Sequence, residues 1–306
     1  MAGHGAKPVI IAVINNSIIT VLKFIGFLIS GSGSMFSEAI HSFADAANQA
    51  LLLIGIKRSQ KKATKEFHYG YSQERFFWAL VSACGIFFVG AGVTIYHGIH
   101  ALIAGEHANI SKWVFIILAI SFVLEGISLK AALDELRANH KGLSLRECVK
   151  KGNPTTVAVL LEDGIALMGV ILAIIGITLS HITGQYYWDA IFSIIIGLSL
   201  AYIAIFLISM NRKYLIEIAM PIELESKLTS YLDGLPEVTK IIYLKTSTLG
   251  VDEYRVRCEI DFDSSKIECN TDADEIAELI GKRVDEIKVE IQKEIPSIKY
   301  FNIEIC

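Results

Sequence analysis

The sequence predicts an α-helical membrane protein with six transmembrane helices, followed by a cytoplasmic α+β domain. Of its 306 residues, 53% are hydrophobic and the mean hydropathy is +0.49, which is too apolar for an ordinary soluble protein. The apolar residues form long runs that suffice to cross about 30 Å of hydrocarbon at about 1.5 Å per residue. From about residue 215 onwards, Asp, Glu and Lys become frequent and the apolar runs shorten.

The six candidate spans are the apolar runs at 9–30, 35–56, 76–104, 113–129, 155–179 and 188–209. The second run would score poorly on hydropathy alone, but its polar residues share one helical face. Because apolar sequence begins at Pro8, we expect no cleavable signal peptide. We therefore divide the chain into a transmembrane domain at 1–214 and a cytoplasmic domain at 215–306.

Positive charge alternates between the loops that join these spans. The loops after spans two and four carry many Lys and Arg residues, whereas the loops at 31–33, 105–111 and 180–187 carry none. The basic residues are Lys57, Arg58, Lys61, Lys62, Lys65, Arg75, Lys130, Arg137, Lys141, Arg146, Lys150 and Lys151. The positive-inside rule then predicts that both termini are cytoplasmic. We expect a multi-pass protein of the plasma (inner) membrane, with the lipid bilayer as its surroundings.

Span two contains a stripe of polar residues, Glu38, His41, Asp45 and Asn48, at helical spacing. His41 and Asp45 are four residues apart, so an imidazole nitrogen and a carboxylate oxygen can meet at one small cation. An isolated acid near the bilayer centre costs about 2.5–3.5 kcal/mol, so such a stripe needs a reason. It predicts a metal or proton site that faces the bundle interior. The alternative is a stripe that only forms hydrogen bonds between helices.

Span five contains a second acidic group, the adjacent pair Glu162 and Asp163. Neighbouring residues on a helix differ in direction by about 100°, so both acids cannot point the same way. We expect one to face His41 and Asp45 and the other to meet a neighbouring helix or a water-filled path. The alternative for either acid is a purely structural contact at a kink. One imidazole with several carboxylates suits Zn²⁺, Mn²⁺, Fe²⁺ or Co²⁺.

Other polar residues allow further expectations. Lys23 in span one is expected to snorkel or to pair with an acid of the bundle. The five cysteines lack a CxxC motif, so neither a disulfide scaffold nor a zinc finger is expected. No HExxH motif is present, which disfavours an intramembrane metalloprotease, and we expect no enzymatic activity. A nucleic-acid partner is not expected either.

The last 90 or so residues alternate between helix and strand patterns. Helical periodicity is found at 223–232 and 272–291, and strand patterns at 238–244, 254–262 and 298–305. A turn is predicted at 249–252. The order α-β-β-α-β predicts a small sandwich with both helices on one face of a three-stranded sheet.

These motifs together resemble the cation diffusion facilitator family. The pair His41 and Asp45 matches the signature of its second span, and the run at 34–55 is similar to that of the mitochondrial-type zinc transporter branch. The loop at 68–75 and the pair Glu162–Asp163 also resemble family segments. The resemblance covers nearly the whole chain, because six spans and a ferredoxin-like cytoplasmic domain are the family layout.

The resemblance implies a homodimer that exports a divalent metal, Zn²⁺ first, from the cytoplasm in exchange for protons. The metal is then a substrate, and no permanent cofactor is implied. His41, Asp45, Asp163 and Glu162 become the candidate metal ligands, and the C-terminal domain becomes the dimerisation domain. The alternative is a membrane protein that binds metal or acts as a scaffold without transport.

The sequence departs from the family pattern at two places. Most zinc-transporting members have His or Asp four residues before the Asp of span five, where this chain has Val159. The missing contact then falls to Glu162 or to a supporting residue, and the candidates are Glu38, Asn16, Asn48 and Glu125. The chain has no histidine after His181, so the metal-sensing sites of some relatives are not expected in the C-terminal domain.

Overall fold

The computed structural model describes residues 6–105, 111–139, 142, 144–145, 147–148, 154–263 and 273–306. Four basic residues of the orientation argument, Lys141, Arg146, Lys150 and Lys151, lie outside the described residues, as does Cys269. The described chain is mostly helical, with a small mixed sheet near its C-terminus.

The first two thirds of the chain form helices. They are α1 (Ala6–Ser30), α2 (Gly33–Ser59), α3 (Glu74–Gly85), α4 (Gly92–Ala104), α5 (Lys112–Asn139), α6 (Pro154–Thr183) and α7 (Tyr187–Leu215). A π-helical turn at Ile86–Ala91 joins α3 and α4 into one continuous span. Within the described residues, five helical spans are long and apolar enough to cross a membrane, and α1 contributes a shorter apolar stretch, Asn16–Ser30. The prediction of a multi-pass membrane protein is thus confirmed.

Helix α5 is about ten residues longer than the predicted span, which ended at 129. Ala132 and Leu136 of its last turns are buried in a cluster with Val157 and Leu160 of α6. Because these apolar contacts continue past the hydrophobic run, the helix continues as well. Hydropathy alone marks only the part of a helix that is apolar on all sides.

In the C-terminal part, the described residues form two helices and three strands. They are α8 (Ile222–Asp233), β1 (Val238–Gly250), β2 (Glu253–Phe262), α9 (Ala273–Glu294) and β3 (Ile298–Ile305). β2 is the central strand, antiparallel to β1 and parallel to β3. This confirms the predicted order. β1 extends six residues beyond the prediction, because its pairing with β2 continues to Gly250, opposite Glu253.

One face of this sheet carries the core of the C-terminal part. Val256, Cys258 and Ile260 alternate along β2 and are buried. Leu228 of α8 and Ile287 of α9 belong to the same buried cluster. Both helices therefore cover the same face, as the sequence predicts.

The chain divides into two compact units. One contains the residues up to Lys57 together with Arg75–Arg212, and the other contains Arg58–Glu74 and Lys213–Cys306. The loop between α2 and α3 thus packs with the sheet, where Ser72 donates a hydrogen bond to Glu253 and the Arg255 guanidinium lies 4.8 Å from the Tyr69 ring centre. The transport and dimerisation roles given to 1–214 and 215–306 stay predictions.

Candidate metal site

Helix α2 buries a stripe of polar side chains in addition to apolar ones. Ser34, Ser37, Glu38, His41 and Asn48 are all buried in the helical unit. A stripe of this kind is stable in a membrane protein only where neighbouring helices supply partners. The structure shows these partners for most of the stripe, and they fix where α2 lies.

The N-terminus of α2 is held by Asp189 from the start of α7. One carboxylate oxygen accepts a hydrogen bond from the Gly33 amide at 2.7 Å, and the other accepts one from the Ser32 hydroxyl at 2.8 Å. The amides at the beginning of a helix are unsatisfied and carry partial positive charge, so a carboxylate stabilises them. One turn further, the hydroxyls of Ser37 and Ser193 lie 2.6 Å apart.

Sequence reasoning missed Asp189. The available signal was an acid next to Trp188 at the start of an apolar span, since ionisable residues inside spans are rare and are functional candidates by default.

His41 and Asp45 come together on α2, as their spacing predicts. The distance from His41 Nε2 to Asp45 Oδ2 is 3.8 Å. Both ring nitrogens of His41 are buried, and neither makes a hydrogen bond to the described residues. A tetrahedral zinc ion held by both atoms needs them about 3.3–3.6 Å apart, given metal–ligand bonds of about 2.0–2.2 Å. A side-chain shift of a fraction of an ångström therefore suffices for this pair to bind one ion.

The two acids of α6 point to different neighbours. The Asn48 amide donates a hydrogen bond to Glu162 Oε2 at 2.7 Å, and its oxygen accepts one from Ser82 of α3 at 2.7 Å. Glu162 is thereby tied to α2. Asp163 instead accepts a hydrogen bond from the Ser128 hydroxyl of α5 at 2.7 Å. Both acids lie within electrostatic range of Asp45.

Glu38 and Glu125, two supporting candidates, are engaged with Lys23. The ammonium of Lys23 lies 2.8 Å from Glu38 Oε2 and 3.3 Å from Glu125 Oε1. Of the two expectations for Lys23, pairing with acids is confirmed and snorkelling is wrong, because the side chain is completely buried. Asn16 is half-buried in α1, where its backbone oxygen accepts a hydrogen bond from the Thr20 hydroxyl at 2.7 Å.

The four predicted ligands do not surround a single ion position in this structure. Among the described residues, no group of three or more His, Cys, Asp or Glu side chains is placed to hold an ion. His41 and Asp45 form a pair, while Glu162 and Asp163 are bonded to Asn48 and Ser128. A third ligand therefore requires one of these acids to leave its present hydrogen bond. The assignment of His41, Asp45, Asp163 and Glu162 as ligands stays a prediction.

The C-terminal domain offers poor conditions for a thiolate ligand at Cys258. This residue lies on the central strand β2 and is buried in the core, and burial raises the pKa of its thiol to about 12. It is therefore a neutral thiol at neutral pH, which is not the form that binds metal.

Known proteins resemble this chain in sequence. The family model of the cation efflux transmembrane domain matches residues 9–216. The human "Proton-coupled zinc antiporter SLC30A9, mitochondrial" is 33% identical, over 98% of this chain and 58% of that protein. The Xenopus laevis protein of the same name is 32% identical, over 100% of this chain and 60% of that protein. "Metal tolerance protein C4" of Arabidopsis thaliana is 32% identical, over 98% of this chain and 73% of that protein.

The chain thus spans less than two thirds of the length of the human and frog relatives. The family match nevertheless covers more than half of the chain and includes all the helices that carry the candidate ligands. The sequence, the helical fold and the buried polar stripe are consistent with that match. The chain therefore belongs to the cation efflux, or cation diffusion facilitator, family.

Proposed function

We propose that this protein is a proton-coupled antiporter of divalent metal ions, with Zn²⁺ as the first candidate and Mn²⁺, Fe²⁺ and Co²⁺ as alternatives. The observation that carries the proposal is the pair of buried His41 and half-buried Asp45, in which both ring nitrogens of His41 make no hydrogen bond to the described residues. The names of the human and frog relatives supply the ion and the coupling. The protein is a transporter rather than an enzyme.

The ion is bound by His41 and Asp45 from α2 and by Asp163 from α6, with Glu162 as the fourth candidate. Asp163 is half-buried and held by a single serine hydroxyl, whereas Glu162 is held by an asparagine that is itself bonded to Ser82. The free-energy cost of breaking the present hydrogen bond and turning towards Asp45 is therefore lower for Asp163 than for Glu162. This is why we assign it as the third ligand.

Metal and protons compete for the same atoms. An imidazole nitrogen binds metal only when it carries no proton, and carboxylates bind metal in their ionised form. Protonation of His41 and the acids on one side of the membrane releases the ion, and metal binding on the other side releases the protons. If the site faces the two sides in turn, metal and protons move in opposite directions.

The membrane arrangement follows from charge and from the number of spans. We propose that both termini lie in the cytoplasm, that metal moves out of the cytoplasm, and that two copies form a homodimer through the C-terminal domain. For the membrane itself we propose the plasma (inner) membrane. The human and frog relatives are named as mitochondrial, so an organelle membrane is the alternative.

The test is metal uptake by the purified full chain in sealed vesicles. His41→Ala and Asp45→Ala are each expected to lower zinc uptake by at least about tenfold, because each removes one ligand of a closed set. His100→Ala and Asp134→Ala change the same residue types at exposed positions of α4 and α5 and should keep wild-type uptake. Wild-type uptake in the His41 or Asp45 variant would contradict the site assignment.

A second candidate is a protein that binds metal without transporting it. Two observations favour it: Val159 stands where most zinc-transporting members have a ligand, and the described acids are not gathered around His41. Binding of zinc at equilibrium, without accumulation in vesicles under a pH gradient, would support this candidate over the antiporter.

A further inference from the structure

The helical unit contains a buried ion cluster next to the candidate site. Lys23 of α1 binds Glu38 of α2 at 2.8 Å and Glu125 of α5 at 3.3 Å. The exposed fractions of the three side chains are 0%, 0% and 7%. Among the described residues, Lys23 is the one buried side chain that is a Lys or an Arg. We call these three residues the Lys23 cluster.

The cluster requires its charges to stay paired. Moving a single charged group out of water into a protein interior costs several kcal/mol, and removing one partner of a buried pair leaves the other uncompensated. Two carboxylates with no cation between them would repel each other and would attract any available cation. As long as Lys23 is present, the carboxylates of Glu38 and Glu125 are paired with its ammonium. Without Lys23 they would be available to bind another cation.

Glu38 is well placed to become a metal ligand. It precedes His41 by three residues on α2, so the two side chains lie on the same face of the helix. Its second oxygen, Oε1, is buried and makes no hydrogen bond to the described residues. That oxygen fills the space beside Gly169 of α6, where a Cβ atom would overlap it. Glu38, Glu125 and Lys23 all lie within electrostatic range of His41.

We propose that Lys23 is a specificity-determining residue: its ammonium occupies Glu38 and Glu125 and so keeps these two carboxylates out of the ligand shell of the transported ion. This inference rests on the proposed transport of metal by the His41 and Asp45 site. With Lys23 in place, the imidazole is a large part of a small ligand set, which suits zinc. With Lys23 removed, the site gains oxygen ligands and negative charge, which suit harder ions such as Mn²⁺ and Mg²⁺.

The experiment compares Zn²⁺ and Mn²⁺ uptake by the full chain in vesicles, together with equilibrium binding of each ion alone to the same purified protein. Lys23→Met is expected to lower the zinc-to-manganese ratio by about tenfold or more, which corresponds to about 1.4 kcal/mol of differential binding. Lys23→Arg keeps the cation and is expected to keep the ratio within about threefold of wild type. An unchanged ratio in a folded Lys23→Met protein would overturn the proposal.

Two further variants keep the test decisive if Lys23→Met does not fold. The pair Lys23→Gln with Glu125→Gln removes one charge of each sign and leaves Glu38 available, so the ratio should still fall. The triple variant Lys23→Met, Glu38→Gln, Glu125→Gln leaves no carboxylate in the cluster, so the ratio should return to within about threefold of wild type. A shifted ratio in the triple variant would overturn the proposal. Failure of both further variants to fold would also overturn it, because the cluster would then be needed only for folding.

Failure of the two proposals is distinguishable. If the wild-type chain takes up no metal, the proposed transport fails, and the binding ratios of the variants still decide the role of Lys23. If the wild-type chain transports zinc and the variants keep its ion ratio, only the role of Lys23 fails.

Discussion

At the scale of single residues, the acids of this membrane unit are stabilised by neutral hydrogen-bond donors and by one ammonium group. Asn48 holds Glu162, Ser128 holds Asp163, and Lys23 holds Glu38. A carboxylate held by a hydroxyl can exchange that bond for a metal ion, whereas one held by a buried ammonium must first lose a charge partner. From these partners we rank the acids by how readily each can become a metal ligand: Asp163 first, then Glu162, and Glu38 last.

The ranking of the two α6 acids is directly testable. Asp163→Ala is expected to lower zinc uptake by at least about tenfold, as for the His41 and Asp45 variants, because it removes a direct ligand. Glu162→Ala is expected to be milder, since the lost contact is a hydrogen bond to Asn48. Uptake in vesicles is the measurement, with protein amount and folding checked in parallel. The opposite order of severity would show that Glu162 is the ligand.

A second residue-scale prediction concerns pH. Protonated imidazole has no lone pair for a metal, so zinc affinity should fall as the pH drops through the ordinary imidazole range near 6.5. His41→Asp replaces the imidazole with a carboxylate, whose ordinary pKa is about 3.9. The midpoint of metal binding should then move to lower pH, and manganese should gain relative to zinc. Binding curves for both proteins, extended down to about pH 3.5 for the His41→Asp variant, measure both effects. A wild-type curve that is flat from pH 5.5 to 8 would exclude His41 as the exchanging group.

At the scale of elements, the position of α2 depends on its contacts with α7. Asp189 binds the first turn of α2, and the Ser37–Ser193 contact continues the same interface one turn further. Since α2 carries both His41 and Asp45, this interface also determines where these two residues lie within the helical unit. The contacts are between residues about 155 positions apart in sequence.

Replacing Asp189 tests this arrangement. Asp189→Ala removes charge-assisted hydrogen bonds to a helix N-terminus and leaves the Gly33 amide unsatisfied, so we expect a loss of about 1.5–3 kcal/mol of stability. Asp189→Asn keeps the shape and should lose less. Asp134→Ala, an exposed acid of α5, is the matched control and should change little. Thermal unfolding of the full chain in detergent measures all three, and equal stability of Asp189→Ala and wild type would contradict the capping role.

The sequence predicts helices, strands and the polar stripe because these depend on local periodicity. His41 and Asp45 meet because four residues make about one helical turn, and the α-β-β-α-β order follows from patterns within each element. The partners of Lys23 and the cap formed by Asp189 depend instead on which helices become neighbours. Spacing along one helix contains no information about that choice. The same holds for the packing of the loop 58–74 with the sheet.

At the scale of the whole molecule, the helical unit and the C-terminal unit differ in how they use charge. The helical unit buries several ionisable side chains within the bundle, namely Lys23, Glu38, His41, Glu125 and Asp189. Many ion pairs of the C-terminal unit lie at the surface, such as Lys227 with Glu294 and Lys282 with Glu278, and the pair of Arg283 and Glu237 is partly buried. Surface pairs contribute little to stability, whereas buried groups respond strongly to any change of charge nearby. Coupling between metal and protons is therefore expected in the helical unit.

This coupling gives the last prediction. A zinc gradient imposed on sealed vesicles that contain the full chain, with no initial pH difference, should drive protons against the zinc flux. The compartment that loses zinc should therefore become more acidic, because the groups that release the ion on the far side take up protons there and carry them back. A pH-sensitive dye and a zinc-sensitive dye, read together, measure the two fluxes.

The control for this experiment is the pair of variants His41→Ala and Asp45→Ala, in which both fluxes should be lost together. A pH gradient imposed without a zinc gradient should conversely drive zinc into the acidic compartment, that is, out of the compartment that gains protons. Zinc flux that proceeds at the same rate with no change of pH, in weakly buffered vesicles, would show transport without proton exchange. In that case the site would bind metal without sharing its atoms with protons.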